Sequence, residues 1–130
     1  MKCPCNPSKE YADCCKKAHD NILSVTTAEK LMRSRYSAFV IADIEYLQKS
    51  HYSKTRPSKR EKKEMLQWMK SVTWLKLEVL KTTKGSKENK EGTVEFKAFF
   101  MENGKINTIH ENSTFCKEDK HWVYVEGVHN

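Results

Sequence analysis

The stretch Thr26–Ala42, TTAEKLMRSRYSAFVIA, decides how the rest of the chain is read. Thr26 followed three residues later by Glu29 has the spacing of a capping box, which predicts a helix that starts here and runs toward Ala42. At 100° per residue, Ala28, Leu31, Met32, Tyr36, Ala38, Phe39 and Ala42 share one broad face, and Glu29, Lys30, Arg33 and Ser34 lie off it. Arg35 falls in the middle of that apolar face. A guanidinium stays charged, so an arginine turned toward a core requires a carboxylate, a polar cavity or a bound anion.

Downstream of this helix, Asp43–Ser50 reads as a second short helix after a bend, and His51–Lys59 as a loop holding Arg56-Pro57. Ser58 or a neighbour caps a further helix reaching Lys70, with Met65, Leu66, Trp68 and Met69 as its apolar stretch. From Val72 the hydrophobic period changes to two. Thr73–Lys81, Thr93–Met101, Ile106–Cys116 and His121–Glu126 read as four antiparallel strands, and Asn103-Gly104 is a hairpin turn signal. Helices followed by a meander predict an α+β fold with the sheet curling over the helices. On the third strand Ile109, Glu111, Ser113 and Phe115 share one face, with His110, Asn112 and Cys116 opposite. Glu111 is thus placed on an apolar face as Arg35 is, and the two are expected to meet. One reading is a buried structural ion pair. The other is a polar pocket lined by Arg35, Tyr36, Glu111 and Ser113, with Glu111 and His110 as acid–base candidates. Adjacent strand residues point to opposite sides, so His110 and Glu111 do not form a simple dyad.

Upstream, Cys3, Cys5, Cys14 and Cys15 stand as C-x-C, eight residues, then C-C. Thiolates so spaced suit tetrahedral Zn²⁺ held between two turns, and ligation supplies the order that so short a segment cannot obtain from packing. Adjacent cysteines are a tight pair of ligands, which leaves His19 as an alternative to Cys15 for the fourth position. The chain has 130 residues and a formal charge of +7 from 24 Lys+Arg against 17 Asp+Glu. That charge permits an anionic partner and equally serves solubility. The basic run Lys54–Lys63 has Tyr52 and Trp68 nearby but no nucleic-acid-binding motif, so nucleic acid is a weak partner expectation. No apolar run approaches the length of a membrane span and no signal peptide is evident, so the expected compartment is the cytoplasm, with no membrane partner.

The cysteine segment resembles the SEC-C zinc motif, known from the C-terminus of the preprotein translocase ATPase, with Asn6-Pro7-Ser8-Lys9 where that motif has Gly-Ser-Gly-Lys. Together with T-A-E-x-L-M-R-S-R-Y-S-A-F-V from Thr27 to Val40, T-R-P at Thr55–Pro57, V-E-F at Val94–Phe96, H-E-x-S-x-F from His110 to Phe115 and W-x-Y-V-x-G from Trp122 to Gly127, it makes nearly the whole chain resemble the YchJ-like family, bacterial SEC-C-containing proteins of unassigned activity. The resemblance implies a zinc knuckle over residues 1–22 and a nuclear-transport-factor-2-like cone over residues 23–130. It also implies a protein partner in translation or secretion, and a homodimer through an open sheet face carrying Phe99, Met101 and Trp122. The leading functional expectation is a zinc-binding docking module with a small polar cavity. An enzyme acting on a small anionic substrate at Arg35 and Glu111 is the alternative, and a nucleic-acid- or ribosome-associated protein the third.

Overall fold

A computed structural model describes all residues, Met1–Asn130. Two short strands, β1 (Lys2–Cys3) and β2 (Asn6–Glu10), pair antiparallel and lead through a 3-10 turn into α1 (Cys15–Asp20). After a second 3-10 turn come α2 (Ala28–Ile41), α3 (Ile44–Lys49) and α4 (Lys59–Ser71). The cap of α2 is Thr27, whose side chain accepts from the Lys30 amide at 3.1 Å, so the expected Thr26–Glu29 box is not made. Glu29 instead pairs with Arg33 one turn on, at 2.9 Å. Ala42 ends the helix in the left-handed region at φ 58°, its amide closing back on Ala38 and Phe39. Ser58 does form a reciprocal capping box with Glu61 at the start of α4.

Strands β3 (Thr73–Lys84), β4 (Glu91–Glu102), β5 (Lys105–Glu118) and β6 (His121–His129) form one antiparallel sheet in sequence order. The β4–β5 hairpin turns on Asn103 and Gly104, both at positive φ, as a tight two-residue turn demands. Bulges at Leu75 and Leu80 on β3 and at Val125 on β6 bend the sheet. Its concave face, with Val94, Phe96, Ala98 and Phe100 inward, closes over α2, where Leu31 and Ala38 are fully buried. Full burial of such side chains contributes about 1.5–3 kcal/mol each for the large ones. Trp122, expected on an exposed dimer patch, is instead wholly buried and donates its indole N–H to the Thr26 carbonyl at 3.1 Å. A β6 aromatic thus pins the entry to α2.

The β3–β4 turn pins the same end of the helix. Gly85 has φ +77° and its carbonyl accepts from the Ala28 amide at 2.9 Å. Gly92 lies so close that a Cβ there would overlap the Gly85 backbone. Because backbone cannot rotate away as a side chain can, Gly92→Ala is expected to cost about 3 kcal/mol by forced repacking. Chemical denaturation checks this, with Gly104→Ala as the comparison. That position has open space around it and carries only the left-handed strain, about 1 kcal/mol.

The N-terminal segment packs into the same interior. Cys3, Cys5, Cys15 and Ala18 belong to one apolar cluster with Leu31, Met32, Tyr46 and Trp122. Helix α2 therefore has the cysteine segment on one side and the curved sheet on the other.

Candidate functional site

The four N-terminal cysteine sulfurs all lie within 4.8 Å of one another. Cys3 and Cys5 are separated by 3.7 Å and Cys5 and Cys14 by 3.6 Å. A tetrahedral ion with metal–sulfur bonds of about 2.3 Å places its ligands about 3.8 Å apart, so the donor set and its spacing fit a tetrahedral metal. The cluster leans on α2, where Ser37 Oγ is 3.7 Å from Cys3 Sγ and Arg33 donates to the Cys5 carbonyl at 3.2 Å. The Cys15 thiol, with Cys14, Cys3 and the Arg33 charge, holds Cys5 down to about 5, while burial pushes Cys14 up to about 11. His19 stands outside the set: Nδ1 shares a hydrogen bond with the Tyr11 hydroxyl at 2.7 Å and Nε2 is 2.8 Å from the Ser34 carbonyl oxygen. Its ring packs on Tyr46, with centroids 4.5 Å apart.

On the opposite side of α2 a cavity of about 310 Å³ opens between the helices and the concave sheet. Its lining is mostly apolar, eleven of sixteen side chains, so it is not the small polar pocket expected. Trp68 and Pro57 line the α4 side, Phe96 and Ile109 the sheet. Trp74 stands among Tyr36, Phe39, Trp68 and Phe100 at ring separations of 5.5 to 5.9 Å, and its indole N–H has no hydrogen-bond partner.

Arg35 and Glu111 both line this cavity but form no ion pair. The Arg35 guanidinium donates through Nη1 to the Leu47 carbonyl at 2.9 Å and Ser50 Oγ at 2.7 Å, and it stacks 4.7 Å over the Tyr124 ring. Nε and Nη2 have no protein acceptor. The residue is 8 % exposed, and this burial lowers its pKa to about 10 even with Tyr124, Tyr46 and Glu111 acting in the other direction. Glu111 accepts from the Tyr124 hydroxyl at 3.3 Å, so the phenol lies between the two charged groups where direct contact was expected. Burial and the Glu111 charge push Tyr124 up to about 12, and burial does the same for Tyr36. Ser113 is buried beside Glu111 on the cavity wall. His110 lies on the convex face of the sheet, 2.7 Å from Glu95, and takes no part in the cavity.

Three residues around Arg35 were not legible as site residues: His51 and Tyr124, which line the cavity, and Ser50, which accepts from Arg35. They meet because the segment after α3 runs along β6, with Tyr124 donating its amide to the Ser50 carbonyl and accepting from the Tyr52 amide. His51 is buried edge-on against Tyr124, centroids 5.1 Å apart. Burial, then the Arg35 charge, pull its pKa down from 6.5 to about 4. The unfolded chain therefore takes up a proton that the folded one refuses. Stability is intact above about pH 6.5 and falls as pH drops toward 4, by up to about 3 kcal/mol from this residue. Urea unfolding between pH 7 and 4.5 should show that slope in the native protein and a flatter one in His51→Gln.

The chain as a whole is similar to known proteins. Residues 27–127 match the family model described as YchJ, middle NTF2-like domain. A UPF0225 protein of Vibrio parahaemolyticus is 42% identical over 126 residues, covering 97% of this chain and 74% of that protein. One from Streptomyces coelicolor is 38% identical, covering 96% and 93%. The solution structure of a SEC-C motif containing protein from Rhodopseudomonas palustris superimposes with a TM-score of 0.83 at 32% identity over 98% of each chain. The crystal structure of a SEC-C motif containing protein from Psychrobacter arcticus gives 0.76 at 32% identity, covering 97% and 81%. No helix of this chain is long and apolar enough to cross a membrane.

Proposed function

The chain belongs to the YchJ-like family of SEC-C motif proteins, and on that premise we propose that it is a zinc-stabilised binding protein whose cone takes a small organic anion with an apolar body. Zinc is the metal chosen by four thiolates in a closed tetrahedral set, which leaves the ion no open coordination position and gives it a structural role. The ligand is assigned to the cavity rather than to the knuckle, where the sequence alone put the emphasis.

The observation that carries this reading is Arg35. A buried cation without a carboxylate in contact costs several kcal/mol of desolvation and is retained where an anion completes it. Here two of its nitrogens remain unbonded beside an aromatic-lined space of ligand size. Apolar walls with one or a few convergent polar groups are the usual composition of small-molecule sites, in which burial supplies affinity and the charge supplies orientation.

Calorimetric titration with 2-naphthoate and its neutral, donor-free counterpart methyl 2-naphthoate tests the reading. The expected result is one naphthoate per chain, bound at least ~10-fold more tightly than the ester, since a charge-assisted hydrogen bond in a dry site contributes about 1.5–3 kcal/mol. Equal affinities, or no binding of either, contradict it.

A further inference from the structure

The cavity contains a second charged group that a simple anion site does not explain. Glu111 projects from β5 among Phe96, Ile109 and Phe115, with no cation in contact. One of its oxygens accepts from the Tyr124 hydroxyl, and the other has no protein donor. Room for this side chain is made deliberately by β6: Gly127 passes beneath it, and a Cβ there would overlap the carboxyl group. Arg35 and Glu111 lie on the face and at the hydroxyl edge of the same Tyr124 ring, so the two groups are held within about one phenol length of each other. Both line one space.

A plain carboxylate ligand in that space would satisfy Arg35 and be repelled by Glu111, at a separation where an apolar medium screens poorly. A ligand that also brings a hydrogen-bond donor satisfies both charged groups. Resting on the anion-cavity reading above, we propose that the ligand is a hydroxy or amino acid with an aromatic body: its carboxylate on Arg35, its hydroxyl or ammonium on the free oxygen of Glu111, and its ring against the Trp68–Trp74 wall. Glu111 is then the residue that sets specificity, and the Tyr124 hydroxyl is its positioning donor. The aromatic body follows from the walls, where edge-to-face partners already surround Trp74.

The test compares 3-phenyllactate with 3-phenylpropionate, which differ only in the hydroxyl group, by calorimetry against the native protein and Glu111→Met. Methionine keeps the length of the side chain and removes the acceptor. The native protein is expected to bind phenyllactate about 10-fold more tightly than phenylpropionate. In Glu111→Met the two should bind alike, with phenylpropionate gaining affinity because the repelling carboxylate is gone, an effect that a damaged fold would not produce. Equal binding of the two acids by the native protein, or a hydroxyl preference that survives in Glu111→Met, overturns the proposal. So does failure of phenyllactate to bind while 2-naphthoate binds, an outcome that leaves the anion-cavity reading standing. Failure of all three ligands removes both.

Discussion

Removing the metal with a strong chelator is expected to lower the midpoint of thermal unfolding by more than about 10 °C. Structural zinc contributes about 10–16 kcal/mol of apparent binding free energy in small zinc peptides, and even a quarter of that moves the midpoint of a domain this size by such an amount. The four thiols are not an appendage: Cys3, Cys5 and Cys15 are buried, and they share an interior with Leu31 and Tyr46. Four thiols left within 4.8 Å of one another without an ion have only weak hydrogen bonds to offset their desolvation. Cys3→Ser should reproduce the chelator effect, because it removes one of the four sulfurs that would hold the ion. Scanning calorimetry distinguishes the outcomes. A single transition moved downward ties the cysteine segment to the cone. A separate early transition followed by an unshifted one would make residues 1–22 an independent unit, and an unshifted single transition would mean the cluster holds no metal.

Arg35→Met is expected to weaken 2-naphthoate binding about 100-fold while the protein stays folded. Losing one partner of a buried charge pair costs about 2–5 kcal/mol, or roughly 30- to 5000-fold in affinity. The fold survives because methionine fills much the same volume, and because the groups left behind have each other: Ser50 Oγ already reaches the Leu47 carbonyl at 3.4 Å. Removing a buried cation from an apolar cavity also relieves its desolvation, so the unfolding midpoint should hold or rise. Calorimetry for binding and thermal denaturation for stability give the two readings. Unfolding of the variant would make Arg35 a structural residue, and undiminished naphthoate affinity would place the anion elsewhere.

The general plan was open to reading because it rests on local rules. The apolar stripe of α2, the capping box at Ser58, the period-two strands and the Asn103-Gly104 turn each obey constraints that act within a few residues. Arg35 was legible as an anomaly for the same reason, since a charge on an apolar stripe breaks the pattern. Its company was not legible. Ser50, His51 and Tyr124 reach it only after the segment beyond α3 has docked on β6, a contact between residues more than seventy positions apart. Alternation along β5 placed Glu111 on the correct face but could not measure the width of the Tyr124 ring that separates it from Arg35. Ser34, expected off the buried face, is inside because it bonds its own Leu31 carbonyl and the Tyr46 hydroxyl, and Ser37 is buried where it meets Cys3. Such short side chains satisfy themselves locally and pack as small apolar groups would. The cap of α2 moved by one residue because Glu29 has Arg33 as a competing partner.

One measurement bears on the central claim most directly: the Arg35 Nε–H signal in a ¹H–¹⁵N spectrum during titration with 2-naphthoate. In the free protein that proton has no acceptor, so a carboxylate arriving at the guanidinium is expected to move the resonance downfield and slow its exchange with water, together with shifts at His51 and Tyr124. An unmoved Arg35 signal, with shifts confined to exposed lysines, would contradict the account.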